Sequence, residues 1–303
     1  MARQGRASKA GEGGGERAPQ GQGPDVHDSA GALAAGPLEL PAQSPLFYAE
    51  QADRYERQRL IKAYEERFGC RLIVMSAPIF GESVTFFEEL IYDASGDQDL
   101  HLILDSPGGD GETAVRLVRS AQARCRELSV IVPDQAKSAA TLLAMGAHCI
   151  LMGPTSDLGP VDPQFMLRPG HLVAAKDIIA AVEAAERAIA LNPDTYPLHA
   201  SLLSDVSALM VQQARSALAR TDDLVAEALR SNPDRSESEV AKLRKQLKEP
   251  LIDLPTSHGA IFGARDAMKA GLPVVEADPA SDQWRIVWRL WALYFNLGHP
   301  VYE

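Results

Sequence analysis

The sequence predicts an α/β protein with a mostly parallel sheet. Two short apolar runs that are rich in β-branched residues, 101–105 (HLILD) and 128–132 (LSVIV), have the length of strands. Each is followed by a segment that is compatible with a helix, and a third run, 148–152 (HCILM), comes next. Because strands that alternate with helices pair in parallel and carry the helices on their faces, the centre of the chain predicts this architecture.

Composition sets limits on the class of protein. The 303 residues are 46% hydrophobic and 23% charged, which is typical of a globular protein that buries a sizeable core. The net charge of -11 argues against general nucleic-acid binding, which needs a basic face. Cys70, Cys125 and Cys149 form no close pair, so we expect a reducing compartment and no zinc motif. The absence of a long apolar run or a signal peptide predicts a cytoplasmic protein without a transmembrane segment.

The first part of the chain leads into the sheet. Residues 1–45 are rich in Gly, Ala, Pro and Gln and predict a disordered tail, with one domain over 46–303. A charged helix is expected over 46–68, before Gly69. A first strand at 70–79 and a helix at 83–94 then precede the strand 101–105.

The second part adds one more core helix and a loop. The helix after 106–110 (SPGGD) carries an apolar stripe. The negative charges of Asp110 and Glu112 in its first turn interact favourably with the helix dipole. Residues 153–170 predict a rigid loop, in which Asp157 and Asp162 are interpreted as turn formers. The apolar stripe of the helix that follows 106–110 comprises Ala114, Leu117, Val118 and Ala121.

The third part predicts a helical insertion at about 192–250, followed by a return to the core. Helices are expected over four segments: 171–191, 197–220, 222–229 and 237–247. Segment 253–277 resumes the core pattern, and a C-terminal helix spans 282–298. Its aromatic residues predict a core or subunit contact, and two arginines leave peripheral membrane contact open. The aromatic residues are Trp284, Trp288, Trp291 and Phe295, and the arginines are Arg285 and Arg289.

Two joints between strands and helices have a chemical use. Gly108 and Gly109 lack a Cβ atom, so their backbone N–H groups can approach a ligand and stabilise an oxyanion. Ser138 stands where the next helix begins, and its small neighbours, including Ala139, leave room for a substrate. A glycine turn followed by such a serine is the order of an oxyanion hole and a nucleophile. Ser138 could also simply cap the helix.

Three segments carry a resemblance to a known family. SPGGDGETAVRL, AKSAATLLAMGA and TSDLGPVDPQF are similar to the serine dehydrogenase proteinase family, and the resemblance covers roughly 55–277. This family belongs with the ClpP-class serine proteases, which include signal peptide peptidase A and the NfeD-type proteases. The resemblance implies a ClpP/crotonase-like core of repeated β-β-α units and a serine peptidase without a cofactor. It also implies a homo-oligomer that acts on a peptide or protein substrate.

The general base is less well defined. No histidine stands near Pro163, where the histidine of the Clp proteolytic subunit would align. The resemblance to the NfeD type instead implies a lysine, and Lys176 lies at a comparable interval beyond Ser138. A lysine can act as a base when burial lowers its pKa. His258 is the alternative base, and Lys137, directly before the serine, is a weaker one.

Other functions remain open at this point. Crotonase-type acyl-CoA enzymes share the fold and use paired N–H groups to hold a thioester enolate. A catalytically inactive scaffold would also suit the helical insertion and the aromatic C-terminus. The chain has no GxGxxG that follows a strand and no P-loop ending, so neither a nicotinamide cofactor nor ATP hydrolysis is expected.

Overall fold

A computed structural model describes residues 44–168, 171–255, 257 and 259–303 of the chain. The predicted tail, 1–45, lies outside this range except for its last two residues. The α-helices are α1 (Pro45–Phe68), α2 (Ser83–Leu90), α3 (Gly111–Gln122), α4 (Ala139–Met145), α5 (Ala175–Leu191), α6 (Tyr196–Leu202), α7 (Ala208–Arg230), α8 (Glu237–Lys248), α9 (Ala264–Lys269) and α10 (Asp282–Leu297). The strands are β1 (Cys70–Ser76), β2 (Asp99–Asp105), β3 (Leu128–Val132), β4 (Gln135–Ala136), β5 (Cys149–Met152), β6 (Asp157–Leu158), β7 (Gln164–Arg168), β8 (His171–Ala174), β9 (Phe262–Gly263), β10 (Val274–Glu276) and β11 (Val301–Tyr302).

Six strands form the central sheet in the order β10-β5-β3-β2-β1-β11. All neighbours pair in parallel except β11, which runs antiparallel to β1 at the edge. The predicted fold class, an α/β protein with a mostly parallel sheet, is therefore confirmed. The edge strand β11 was not predicted, because a pair of residues carries no detectable period.

Helices cover both faces of the sheet. Successive side chains of a strand point to opposite sides, so each strand contributes to both cores. In β1, Ile73 and Met75 join the core that is formed with α3, α4 and α7. Leu72 and Val74 point the other way and join a second core, formed with α1 and α10. The strands are consequently apolar on both faces, which explains why they appear in the sequence as continuous apolar runs.

Two small sheets replace the loop that was predicted over 153–170. Strand β6 pairs with both β4 and β9, and strand β7 forms a hairpin with β8. The predicted helix 171–191 is correct only from Ala175, because residues 171–174 pair with β7. The error arises because LVAA fits either a strand or the first turn of a helix.

The helical segments also differ from the prediction. Helix α6 ends at Leu202, and α7 then runs without interruption to Arg230, across the predicted boundary at 220–222. Ser207 accepts a hydrogen bond from the Met210 amide at 3.1 Å and so marks the true start of α7.

The C-terminal helix buries only part of the predicted aromatic stripe within the chain. Trp284 is buried as predicted, but Trp288 and Phe295 are exposed. The buried positions of α10 are Trp284, Val287, Leu290 and Tyr294. Within the described ranges, no helix is both long and apolar enough to cross a membrane.

Candidate active site

Ser138 has an unusual backbone conformation. Its φ of 50° and ψ of -113° make it the one non-glycine residue with positive φ in the described part of the chain. It stands directly before α4, yet its side chain makes no capping hydrogen bond to the helix. Backbone strain of this kind costs about 1–3 kcal/mol and concentrates at functional sites. The interpretation of Ser138 as a simple helix cap therefore does not fit the structure.

The glycine turn lies directly against Ser138. The Ser106 amide donates to Gln135 O at 2.9 Å, and Ser106 O accepts from the Lys137 amide at 3.0 Å, so the ends of β2 and β4 run side by side. Gly108 has a φ of +101°, and a Cβ atom there would lie 2.8 Å from Ser138 Cβ. The sequence-predicted turn and serine are thus neighbours, and the contact leaves no space for a side chain on the turn.

The amides of this region are not equivalent. The Gly108 N–H donates to the Ser106 hydroxyl oxygen at 3.1 Å. No residue in the described ranges accepts a hydrogen bond from the Gly109 or the Ala139 amide. Gly109 is exposed, with a φ of +141°, and a Cβ atom there would meet Ile79 O at 2.1 Å. Gly108 of the predicted donor pair already has an acceptor, and the Gly109 and Ala139 amides are the remaining candidate donors.

Ser138 opens into a cleft of about 230 Å³. Its rim carries Arg220, which makes a two-point contact with Glu112, at 2.6 and 2.7 Å, and a third bond to Glu227 at 2.6 Å. These carboxylates raise the pKa of Arg220 further, first through the hydrogen bond with Glu112, so the guanidinium stays charged. Besides Asp110, Glu112, Ser138 and Arg220, the cleft is lined by Gly109, Gly111, Ala139, Leu142, Val161, Asp162, Pro163, Ala217, Thr221 and Leu224.

Lys137 points away from the nucleophile. Its side chain is buried, and its Nζ contacts the Asp157 carboxylate and the carbonyl oxygens of Leu158 and Ala260. Asp157 in turn accepts from the Phe262 amide at 2.7 Å. The pair of the buried Lys137 and the half-buried Asp157 ties the segment before Ser138 to β6 and β9, so Lys137 is placed to support the site and not to act as its base.

Lys176 lies in a second cavity of about 350 Å³. Its Nζ donates to Ile252 O at 3.0 Å and also to Pro255 O. No hydrogen bond between described atoms joins Lys176 to Ser138. The alternative base, His258, lies outside the described residues.

Asp162 lies between the two cavities. It was interpreted as a turn former, but its side chain is buried and lines both the Ser138 cleft and the Lys176 cavity.

The cysteines have no features of a catalytic thiol. Burial raises the pKa of Cys70 to about 12 and that of Cys125 to about 11, and it also raises the pKa of Cys149. Such thiols stay protonated at neutral pH and are poor nucleophiles. The described side chains include no group of three or more His, Cys, Asp or Glu residues that could hold a metal ion.

Comparison with known proteins identifies the family. Residues 87–250 match the profile of the ClpP-like SDH-type serine proteinases, and this match spans more than half of the chain. The protein therefore belongs to this family, as the three sequence segments indicated.

Individual relatives are more distant. Two uncharacterized proteins of Methanocaldococcus jannaschii are similar: MJ0137 is 39% identical over 90 residues, and MJ1495 is 26% identical over 215 residues. These matches cover 30% and 64% of this chain, and 30% and 66% of the respective relatives. Among solved structures, a ClpP1 mutant from Listeria monocytogenes aligns with a TM-score of 0.36 and 13% identity, over 73% of this chain and 96% of that one.

Proposed function

We propose that this protein is a serine peptidase in which Ser138 is the nucleophile. The observation that carries the proposal is the contact between the strained Ser138 and the Gly108 turn, with two amides nearby that lack an acceptor among the described residues. A serine in an acyl-transfer enzyme needs these two parts, an accessible hydroxyl and donors for the developing oxyanion.

The chemical steps follow from this arrangement. The Ser138 oxygen attacks the carbonyl carbon of a peptide bond, and the carbonyl oxygen becomes negatively charged. The N–H groups of Gly109 and Ala139 donate to that oxygen. The amine leaves, an acyl-enzyme forms, and water then hydrolyses the ester.

The sequence-based candidate for the base in this proposal is Lys176. Lys176, the sequence-based candidate, would have to break its bonds to Ile252 O and Pro255 O, and lose a proton, before it could act.

The walls of the cleft also indicate which substrate side chain fits beside Ser138. Its walls include Leu142, Val161 and Leu224, and the Arg220–Glu112 pair lies at its rim. A cleft of about 230 Å³ with these walls suits a small apolar side chain next to the cleaved bond. We also propose, from the family resemblance, that the protein acts as a cytoplasmic homo-oligomer on peptide or protein substrates.

The test uses the full chain. Purified protein is treated with a fluorophosphonate probe and, separately, with a library of fluorogenic peptides. We expect labelling and cleavage by the unaltered protein and loss of both in Ser138→Ala. Equal cleavage by the two proteins would refute the assignment. Binding of coenzyme A in the cleft without peptide cleavage would instead favour a crotonase-type enzyme.

A further inference from the structure

Thr141 places a buried hydroxyl group behind the nucleophile. It lies in the first turn of α4, one turn beyond Ser138, and its exposure is 0%. Its Oγ1 donates to Ala136 O at 2.6 Å, with Gly159 O at 3.0 Å as a second acceptor for the same proton. The same oxygen accepts from the Gly159 amide at 3.1 Å. One side chain therefore joins the strand that leads into Ser138 to the segment that follows β6.

The segment that follows β6 continues directly into the cleft. Residues 161–163 line the cleft together with Ser138 and Leu142. Thr141 is not among the described residues that line the cleft, so it can act on a substrate only through its neighbours. Its hydrogen bonds hold one wall, which carries the nucleophile, against the start of the other wall at Gly159.

The same two segments are also packed tightly against each other. A Cβ atom at Gly159 would lie 2.3 Å from Lys137 Cδ and 3.1 Å from Lys137 Cα. The residue before Ser138 and the segment after β6 therefore leave no space for a side chain between them. The Thr141 hydroxyl spans this contact from the helix side.

The conformation of Ser138 requires restraints of this kind. A non-glycine residue with a φ of 50° is strained, and such strain persists only when the surrounding structure fixes it. The Lys137 amide donates to Ser106 O at 3.0 Å before the serine, and the Leu142 amide donates to Ser138 O at 3.2 Å after it. These bonds hold the serine relative to the glycine turn and to α4, and Thr141 adds the connection to the second wall.

We propose that Thr141 is a positioning residue for the nucleophile, and that its hydroxyl fixes Ser138 relative to the wall formed by 159–163. The inference rests on the proposed peptidase function, but it does not depend on which group is the base. Reacting atoms must lie within about 3–3.5 Å of each other, and a displacement of about 1 Å can cost about 100-fold in rate. The loss of the hydroxyl should therefore lower kcat and leave the binding of the peptide largely unchanged.

The experiment compares Thr141→Val, Thr141→Ser and Ser156→Ala in the full chain. Valine has the shape of threonine but lacks the hydroxyl, so it leaves the buried Gly159 amide without its acceptor. Serine keeps the hydroxyl. Ser156 is the matched control, because its buried hydroxyl also joins two backbone segments: it accepts from the Gly153 amide at 2.7 Å and donates to Val132 O. It does not belong to the described lining of the cleft.

The readouts are kcat and KM for peptide cleavage, the rate of labelling by the fluorophosphonate probe, and the midpoint of thermal unfolding. We expect Thr141→Val to lower kcat and the labelling rate by about 10- to 100-fold, with KM changed by less than about threefold. Thr141→Ser should recover both rates to within about threefold of the unaltered protein. Ser156→Ala should lower the midpoint of unfolding, as Thr141→Val does, but keep its kcat.

Two results would overturn the inference. One is a kcat of Thr141→Val that equals that of Ser156→Ala, and the other is an equal loss in Thr141→Ser and Thr141→Val. If Thr141→Val does not fold, Gly159→Ala gives the answer, because its new Cβ atom displaces the same segment from Lys137 and leaves the hydroxyl in place. Its labelling rate should fall, and an unchanged rate would equally overturn the inference.

The outcomes separate this inference from the proposed function. If Thr141→Val is fully active and Ser138→Ala is inactive, the positioning role is wrong and the peptidase assignment stands. A fully active Ser138→Ala would instead remove the proposed function itself.

Discussion

Replacing Gly108 by alanine tests whether the glycine turn and the nucleophile form one rigid unit. The new Cβ atom would lie 2.7 Å from Lys137 O, 2.8 Å from Ser138 Cβ and 3.3 Å from the Ala139 nitrogen. The first two distances are shorter than side-chain carbon contacts allow, so the serine, its preceding carbonyl or the turn has to move. The φ of +101° adds strain for any residue with a side chain.

The expected loss of stability combines the short contacts of the new Cβ atom with the backbone strain. Backbone strain costs about 1–3 kcal/mol, and overpacking costs about 1–3 kcal/mol. At about 2–4 °C per kcal/mol for a chain of this size, the midpoint of thermal unfolding should fall by about 5–20 °C. Because a shift of about 1 Å at a reacting group can cost about 100-fold, we expect kcat/KM to fall by at least that factor in the folded variant.

The assay pairs this variant with Gly96→Ala. No atom lies within 4 Å of the position that a Cβ at Gly96 would occupy, and its φ is not positive. This control should stay within about 0.5 kcal/mol of the unaltered protein in stability and keep its activity. If Gly108→Ala retained activity within threefold of Gly96→Ala, the reasoning that joins the turn to the nucleophile would be refuted.

Further predictions concern the surroundings of the site. Lys137→Met should lower the free energy of unfolding by about 3–5 kcal/mol in urea titrations, because it leaves the largely buried Asp157 carboxylate, whose side chain is 16% exposed, without its cation. Adding Asp157→Leu should recover much of this loss, and an unchanged double variant would contradict the pairing. Burial raises the pKa of Asp105, so the folded state holds this proton more tightly than the unfolded state, and stability falls as pH rises from the ordinary value toward the raised one. Asp105→Asn lacks this slope, so its stability relative to the unaltered protein should rise as the pH rises above about 4, the ordinary pKa of aspartate; a relative fall would contradict the sign. Because burial raises its pKa to about 11, Cys125 should react with a disulfide reagent far more slowly in native protein than in urea, and equal rates would contradict its burial.

The parts of the site that sequence reasoning predicted are those set by short-range chemistry. Gly108 and Ser138 lie a few residues after the predicted strands 101–105 and 128–132. These strands are parallel neighbours, and the ends of such strands meet at one edge of a sheet, so the proximity of the two residues can be expected from the sequence. The hydrogen bond from the Gly108 amide to the Ser106 hydroxyl depends on one side-chain rotamer, which a sequence motif does not predict.

Other features depend on tertiary contacts. Asp162 follows Val161 in a segment rich in proline and glycine, and this composition predicts a turn. Its neighbours Val161 and Pro163 are hydrogen-bonded to the turn after α8 and to the start of α5, which are distant in the sequence. The hairpin β7–β8 was missed for a similar reason, since its residues choose between strand and helix only when they meet a partner.

The central claim is that Ser138 is a nucleophile, and one measurement tests it most directly. The full chain is incubated with a fluorophosphonate probe, digested, and analysed by mass spectrometry to find the modified residue. We predict a single covalent adduct on Ser138, formed in the folded protein and lost on unfolding. An adduct on another serine, or none in protein that cleaves peptides, would contradict the account.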